Sequence, residues 1–518
     1  MKEPYKVVDL FAGPGGLAEG FSSVVDSDDR LFDIALSVEM EAAAHQTLTL
    51  RSFTRQFPAR KLPKAYYRFS AGEISLCQLQ EKFPEEWCAA QQEALRLQLG
   101  SEQATKVILP RLDAIREHSG GRTVLIGGPP CQAYSLVGRA RNAGIGGYVP
   151  EDDGRHFLYR EYIHILDRLK PAAFVMENVK GILSSSVGGN QIFQRILDDL
   201  ANVGREDGGY KLLALTPNDD SEIYSARSFL PRDFIVRAEK HGVPQARHRV
   251  FVVGVRADIA TNMDIPDDGQ FLARLAEVSV RQLIGGLPRL RSGLSKNDDE
   301  MSWRKTVLDA ASEVRKLGER RNAPETLKFA AKTVRSISSS IKRPNTPLPR
   351  GSQEYETRKL AKGLKGDLRK FIVDSKLIEL SHHETRGHMK SDLARYLFCA
   401  AFAEANLRPP RASDFPDELA PDHQSWSTGK FADRFKVQTW DGPSTTITSH
   451  ISKDGHYYIH PDPVQCRSLT VREAARLQTF PDNYVFLGNR TQQYVQVGNA
   501  VPPFLAKQIA QVLTDILP

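Results

Sequence analysis

The residues best suited to covalent chemistry in this chain lie in Gly127-Gly128-Pro129-Pro130-Cys131-Gln132-Ala133-Tyr134-Ser135. The preceding Thr123-Val124-Leu125-Ile126 is an apolar, β-branched run that reads as a buried strand ending at a glycine pair. Two prolines stiffen the turn and hold Cys131 just past the strand's carboxyl end, the edge at which open α/β sheets bind ligands. A thiol there can be a nucleophile, provided something lowers its pKa. A lone cysteine is otherwise a small buried hydrophobe, so the other motifs must decide.

Two further groups bear on it. Ala173-Phe174-Val175-Met176 reads as a buried strand delivering Glu177-Asn178-Val179 to the same sheet edge. A carboxylate among apolar residues has a raised pKa and can donate a proton near neutrality; a helix-capping carboxylate is the plainer alternative. In the extended segment Gly242 to Arg249, Arg247 and Arg249 alternate onto one face. Guanidiniums facing a cleft suit phosphates or carbonyl oxygens, and surface ion pairs would explain them equally well.

The elements that must position these groups are legible around them. The stretch from Lys6 to Leu10 reads as a strand, Phe11-Ala12-Gly13-Pro14-Gly15-Gly16 as a ligand-approachable turn, and Leu17 to Val24 as a helix. A second strand, from Ile34, ends at Glu39, where an acid can accept hydrogen bonds from a ribose diol. A third strand end is expected at Ala71-Gly72-Glu73-Ile74, and Glu81 to Ile115 reads as a helical peripheral insertion. Leu136 to Arg155, rich in glycine and carrying Arg139 and Arg141, suits a loop closing over a substrate. An amphipathic helix from Phe157 to Leu169 stops at Lys170-Pro171. Tyr210 to Leu215 and Val250 to Val255 read as further strands. Thr470-Val471-Arg472-Glu473 has capping-box spacing and opens a helix through Gln478, and Gln496 to Pro503 turns into a C-terminal packing helix.

Composition narrows the class. At 518 residues, with 26% charged and 41% hydrophobic residues, the chain can build two or three domains with ordinary cores. Its five scattered cysteines form no disulfide framework, and no apolar run is long enough to span a membrane, so a reducing cytoplasm is expected. The net charge of +7 is concentrated: Arg281 to Lys430 holds 29 Lys and Arg against 19 Asp and Glu, while the remainder is slightly acidic. Within it, Met301 to Lys370 has 18 basic against 7 acidic residues. From about Ala257 to Lys430 the strand rhythm is lost, with serine- and proline-rich punctuation such as Ser336 to Arg350, and an irregular polyanion-binding domain is expected there. His382, His383, His388 and Cys399 fit no zinc spacing, and ordinary polar contacts are expected of them.

Taken together the motifs closely resemble the DNA (cytosine-5)-methyltransferase family. The matching blocks, in the family's order, are Asp9 to Gly16, Pro129-Pro130-Cys131-Gln132, Glu177-Asn178-Val179, Gln245-Ala246-Arg247-His248-Arg249, Arg467 to Pro481 and Gln496-Val497-Gly498-Asn499. The resemblance implies a Rossmann-like, S-adenosylmethionine-dependent α/β fold with an inserted target-recognition domain. Its boundaries would be 1–260 for the catalytic domain, 261–434 for recognition, and 435–518 for a segment returning to the catalytic domain. It implies that Phe11, Gly13 and Gly15 line the methionine part of the cofactor, that Glu39 holds its ribose, that Leu158 touches its adenine, and that Pro130 and Asn499 complete the pocket. Glu73, in Gly72-Glu73-Ile74 where the family has Gly-Asp-Ile, would be the adenine-contacting acid.

The implied chemistry is addition of Cys131 to carbon-6 of a flipped cytosine, with Glu177 protonating ring nitrogen 3. Arg249 would bind the exocyclic oxygen, Arg247 would support the phosphate or the loop, and the loop with Ser135 would close over the gap. Methyltransferases of exocyclic amines place an aromatic residue where Cys131 stands, so the cysteine argues for carbon methylation. The rival within the family is a transfer-RNA cytosine methyltransferase, for which so large a basic insert is unexpected. A non-catalytic DNA-binding protein would not need Cys131, Glu177 and Arg249, and a nicotinamide oxidoreductase leaves the Pro-Pro-Cys block unexplained. The expected setting is a prokaryotic restriction-modification or phage-defence system. There a monomer would act on double-stranded DNA at the nucleoid, alongside a cognate endonuclease or defence proteins.

Overall fold

The computed structural model describes residues 3–130, 158–184, 186–187, 190–216, 230–261, 263–264, 270–342, 347–352, 354–355, 364–422, 426 and 434–518. The central strands are β1 (Tyr5–Leu10), β2 (Phe32–Glu39), β3 (Ala94–Arg96), β4 (Thr123–Gly127), β5 (Ala173–Val179), β6 (Tyr210–Leu213) and β7 (His248–Arg256). They form an eight-stranded sheet in the order β6-β7-β5-β4-β1-β2-β3, with Ile235–Arg237 beside β7. β1 to β5 are parallel. β7 runs antiparallel between β5 and β6. The order reverses between β1 and β4, and the crevice at that switch point is flanked by the glycine turn after β1 and the Pro-Pro turn after β4.

Alternation along the strands sorts neighbouring side chains into two layers. Val7, Ile126, Val175 and Val253 pack on one face against Leu17, Phe21, Leu505 and Ile509. Those residues come from α1 (Gly16–Ser22) and the C-terminal α12 (Pro503–Ile516). Val8, Leu125, Phe174, Met176 and Val252 pack on the other face against Ile108, Tyr162, Leu166 and Leu200. Here the helices are α4 (Glu102–His118), α5 (Leu158–Leu169) and α6 (Ile192–Asn202). A strand buried on both faces must be apolar throughout, as β4 is. The chain's last helix thus covers its first strand. At Gly20 an added Cβ would lie 2.4 Å from the Ala506 Cβ, so only glycine admits α12 there.

Between β2 and β3 lie α2 (Ala42–Arg55) and α3 (Lys64–Ser70). The third strand is not at Ala71 to Ile74. Those residues form a turn after α3, held by the Glu73 amide on the Arg68 carbonyl at 2.9 Å. The edge strand is β3, within the stretch read as peripheral and helical, and its neighbours Leu76–Lys82 and Pro84–Glu93 are indeed helices. Three residues between two helix-forming runs leave too little alternation to read.

The inserted region is not irregular. α7 (Glu300–Gly318), α8 (Glu325–Lys342) and α9 (Lys390–Asn406) pack around Trp303, Val307, Val334, Leu397, Phe398 and Phe402. Ser336 to Lys342, expected as punctuation, is the last part of α8; Ser338 satisfies its hydroxyl on the Val334 carbonyl one turn back at 2.6 Å. Phe435, Val437, Ile459 and Cys466 belong to this helical core, so packing crosses position 434. The return to the sheet runs through α10 (Val471–Leu477) and α11 (Arg490–Asn499), and α10 carries the expected capping box between Thr470 and Glu473.

Candidate active site

Parallel pairing of β4 with β5 sets Gly127 opposite Met176, so the Pro-Pro turn and Glu177 emerge side by side. The fit is close: a Cβ on Gly128 would lie 2.9 Å from the Glu177 Oε2. The next residue on β5 points the other way, and the Asn178 amide donates to the Pro129 carbonyl at 3.1 Å. The sequence presents Asn178 only within the Glu177 block; its signal is a polar side chain one place after the acid in an otherwise apolar strand. Cys131, Ser135, Arg139 and Arg141, with the rest of the stretch from Leu136 to Arg155, lie outside the described residues.

Glu177 is mostly buried, with 13% of its side-chain surface exposed, and this burial pushes its pKa up against the opposing pull of Arg249 and Arg247. Arg249 Nε stands 3.1 Å from its Oε1, and the Arg249 Nη1 donates to the His248 carbonyl at 2.9 Å. This pair is two groups at one cleft wall, an acid held toward its protonated form and a fixed cation.

Arg247 does not face the cleft. It is 2% exposed, and its guanidinium donates to the Ile447 carbonyl at 2.8 Å and the Gly498 carbonyl at 3.3 Å. Burial, with Arg249 beside it, lowers its pKa well below the usual guanidinium value. Its role is to fasten two returning backbone segments to the rim of β7. Gly498 is needed at that seam, since a Cβ there would lie 2.3 Å from the Ser449 amide nitrogen. The exposed Asn499 follows it, and then Ala500 and Val501 close onto Gly16 of α1.

At the switch point the glycine turn uses left-handed backbone at Phe11 (φ 55°), Gly13 (φ 56°) and Gly15 (φ 98°). The tip of β2 braces it: Glu39 accepts from the Gly13 amide at 2.8 Å and the Glu41 amide at 2.7 Å. Burial raises the Glu39 pKa while these amides oppose the rise. The space above Gly13 is open, with nothing within 4 Å of an added Cβ. An open cradle with a carboxylate at its rim fits a ribose-bearing ligand. Beneath it Asp9 is fully buried without a well-formed hydrogen bond, and burial pushes its pKa up to about 8. Leu158 is half-buried at the start of α5 and Pro130 half-buried at the end of its turn.

Glu73 is not at this rim. It sits in the turn after α3, half-exposed, in an ion pair with Arg68 at 2.8 Å. The histidines are engaged elsewhere. His382 accepts from the Phe486 amide at 3.0 Å, His383 bridges Thr470 and the Pro288 carbonyl, and His388 meets Ser468 at 3.2 Å. Cys399 is buried in the helical core. No helix among the described residues is long and apolar enough to cross a membrane.

Comparison with known proteins agrees with this geometry. Residues 113–515 match the family model described as C-5 cytosine-specific DNA methylase. A type II methyltransferase of Bacillus paralicheniformis is 32% identical over 99% of both chains. One of Thalassovita gelatinovora is 27% identical over 98% of this chain and 99% of its own. A DNA (cytosine-5-)-methyltransferase of Aeropyrum pernix is 26% identical over 76% of this chain and 81% of its own. In fold, the chain is similar to a crystal structure titled as a DNA modification methyltransferase encoded within an E. coli prophage, with a TM-score of 0.51, 19% identity and 99% coverage of both. The sheet order, the Glu177–Arg249 pair and the match across most of the chain converge: this protein belongs to the C-5 cytosine-specific DNA methylases and is a DNA (cytosine-5)-methyltransferase.

Proposed function

We propose that the enzyme methylates carbon-5 of a cytosine swung out of duplex DNA, with S-adenosylmethionine as methyl donor, through a transient covalent bond to Cys131. The observation that carries the reading is the mostly buried Glu177, packed against Gly128 in the turn that leads to Cys131 and faced by Arg249. Carbon-5 of cytosine is a poor nucleophile. Addition of the Cys131 thiolate to carbon-6 pushes electrons into the ring, and Glu177 neutralises them by giving its proton to nitrogen 3. Arg249 holds the exocyclic oxygen. S-adenosylmethionine, when bound, supplies an electrophilic methyl on a sulfonium. After the methyl is in place, the carbon-5 proton leaves to a base, the carbon-6 to sulfur bond breaks, and Glu177 recovers its proton. A stacked base cannot reach this edge, so the target must be flipped.

Phe11, Gly13 and Gly15 would hold the methionine end, Glu39 the ribose and Leu158 the adenine, with Pro130 and Asn499 closing the pocket. The open space over Gly13 and the carboxylate of Glu39 support that assignment. The basic helical insert supplies charge for phosphate neutralisation. The type II relatives support a place in a restriction-modification system.

The test is expression in a host without cytosine-5 methylation, followed by mapping of methylcytosine across its genome. Methylation at one short recurring sequence, absent with Cys131→Ala, is expected. Loss of all DNA methylation with both proteins would refute the reading.

A further inference from the structure

The helical insert reaches the site through Arg386, a half-buried residue at its root. The next two residues, Gly387–His388, pair in parallel with Gly293–Leu294, and the Gly293 amide donates to the Arg386 carbonyl at 3.0 Å. α7 follows one of these segments and α9 the other, so the backbone of Arg386 is tied to the insert's helices.

Its side chain leaves the insert and takes hold of two other pieces. Ser449–Ser452 is a single 3-10 turn, and so short a turn leaves its last carbonyls without partners of its own. Arg386 supplies them: its guanidinium donates to the Ile451 carbonyl at 2.7 Å and to the Lys453 carbonyl at 3.3 Å. The same guanidinium lies over the Tyr494 ring of α11, 4.3 Å from its centroid. A planar cation suits both tasks at once, since its edge donates while its face stacks. Tyr494 is buried and its hydroxyl donates to the Leu469 carbonyl at 2.7 Å, so the ring is a fixed platform. Arg386 therefore holds the turn and α11 together. One helical turn further along α11 they meet again at Gly498, where the absence of a Cβ lets the Ser449 amide approach. Gly498 carries a carbonyl that fixes Arg247, and Asn499 follows it.

We propose that Arg386 is a positioning residue for methylation: reaching out of the insert, it binds the Ser449–Ser452 turn to α11 and thereby sets Gly498, Arg247 and Asn499. It touches no reacting atom. Without it the turn is free to ride away from α11, and the seam that carries Arg247 next to Arg249, and Asn499 next to the cofactor, loosens. The inference rests on the assignment of Asn499 to the cofactor pocket. It makes the insert a part of the catalytic wall as well as a surface for DNA.

Arg395 provides a matched control. It donates to the Leu419 carbonyl at 3.0 Å and the Ala420 carbonyl at 3.4 Å and lies over the Phe435 ring at 5.6 Å. Leu419 and Phe435 belong to the helical core and not to the seam at Gly498. The experiment compares the native full chain with Arg386→Met, Arg386→Lys and Arg395→Met. It measures calorimetric binding of S-adenosylhomocysteine, single-turnover methylation of DNA from a host without cytosine-5 methylation, and melting temperature. Arg386→Met should bind about fivefold more weakly and react about tenfold more slowly. Arg386→Lys, which keeps a cation over Tyr494 and a donor for one carbonyl, should recover to within about threefold of native. Arg395→Met should melt earlier with both quantities within about twofold of native. Should Arg386→Met fail to fold, Arg386→Gln, with one donor and no cation, carries the same expectation. Native affinity and rate in the folded Arg386 variant, or equal losses in Arg395→Met, overturn the inference and leave the cofactor reading intact. A native protein that binds no S-adenosylhomocysteine overturns both.

Discussion

The Asn178 side chain donates to the Pro129 carbonyl at 3.1 Å, which makes the strand end bearing Glu177 and the turn leading to Cys131 one mechanical unit. Asn178 touches no reacting atom in this arrangement; it positions those that do. Asn178→Ala should leave the melting temperature within a few degrees and lower single-turnover methylation by about 10- to 100-fold, because small misplacements are costly in oriented reactions. Asn178→Asp should be worse, since a carboxylate repels the carbonyl. Restoration of the rate by Asn178→Gln would indicate that any amide suffices.

Glu177 gives a pH signature. Burial raises its pKa, so the acid keeps its proton to higher pH than an exposed glutamate. The rate of methyl transfer should fall on the alkaline side as pH rises through that raised value. Glu177→Gln should flatten this limb and slow turnover by about 10²- to 10³-fold. A steep alkaline limb in the variant would assign it to another group.

The two arginines of one motif should separate in their effects. Arg249, beside Glu177, should cost activity with little change in stability when replaced by Met. Arg247, buried on the Ile447 and Gly498 carbonyls, should lower the unfolding free energy by about 2–4 kcal/mol when shortened to Ala, because carbonyls are left unpaired and a cavity opens. Urea unfolding alongside methylation rates distinguishes the pair.

Gly498→Ala tests the same seam from the other side. Its Cβ would lie 2.3 Å from both the Ser449 nitrogen and the Thr448 carbonyl carbon, atoms of backbone that cannot swing aside. A loss of about 3 kcal/mol is expected. Calorimetry should also show weaker binding of S-adenosylhomocysteine, since Asn499 follows directly.

Acid should unfold the junction between the insert and the return segment. Burial pushes His382, His388 and His460 down to about 3 and His383 to about 4. Unfolded, each titrates near 6.5. The unfolded chain therefore binds more protons below that value, and each histidine removes about 1.4 kcal/mol of stability per pH unit as pH falls from about 6.5 toward its folded pKa. Glu473, held low by Arg467 at 2.7 Å, loses its contribution only at still lower pH. Denaturant midpoints at pH 7, 6 and 5 should fall with increasing slope, and His388→Gln should shallow that slope.

The sequence by itself determined the sheet's centre and the reacting groups. β1, β2, β4, β5 and β7 are rich in apolar residues because most of their length is buried, and the tips of β2, β4 and β5 end in acid or glycine where ligands approach. Such local patterns carry their own boundaries, and with them came Glu177, Arg249 and the glycine turn. Tertiary structure alone decided the rest, because it depends on pairing between residues far apart in the chain. β3 became a strand only by pairing with β2, which moved the third tip from Glu73 to Arg96-Leu97-Gln98. Arg247 and Arg249 look alike in sequence, yet Ile447 and Gly498 bury one while the crevice keeps the other. The insert's helices were obscured by exposed basic and serine-rich faces, and only packing of α7, α8 and α9 around a shared core made them regular.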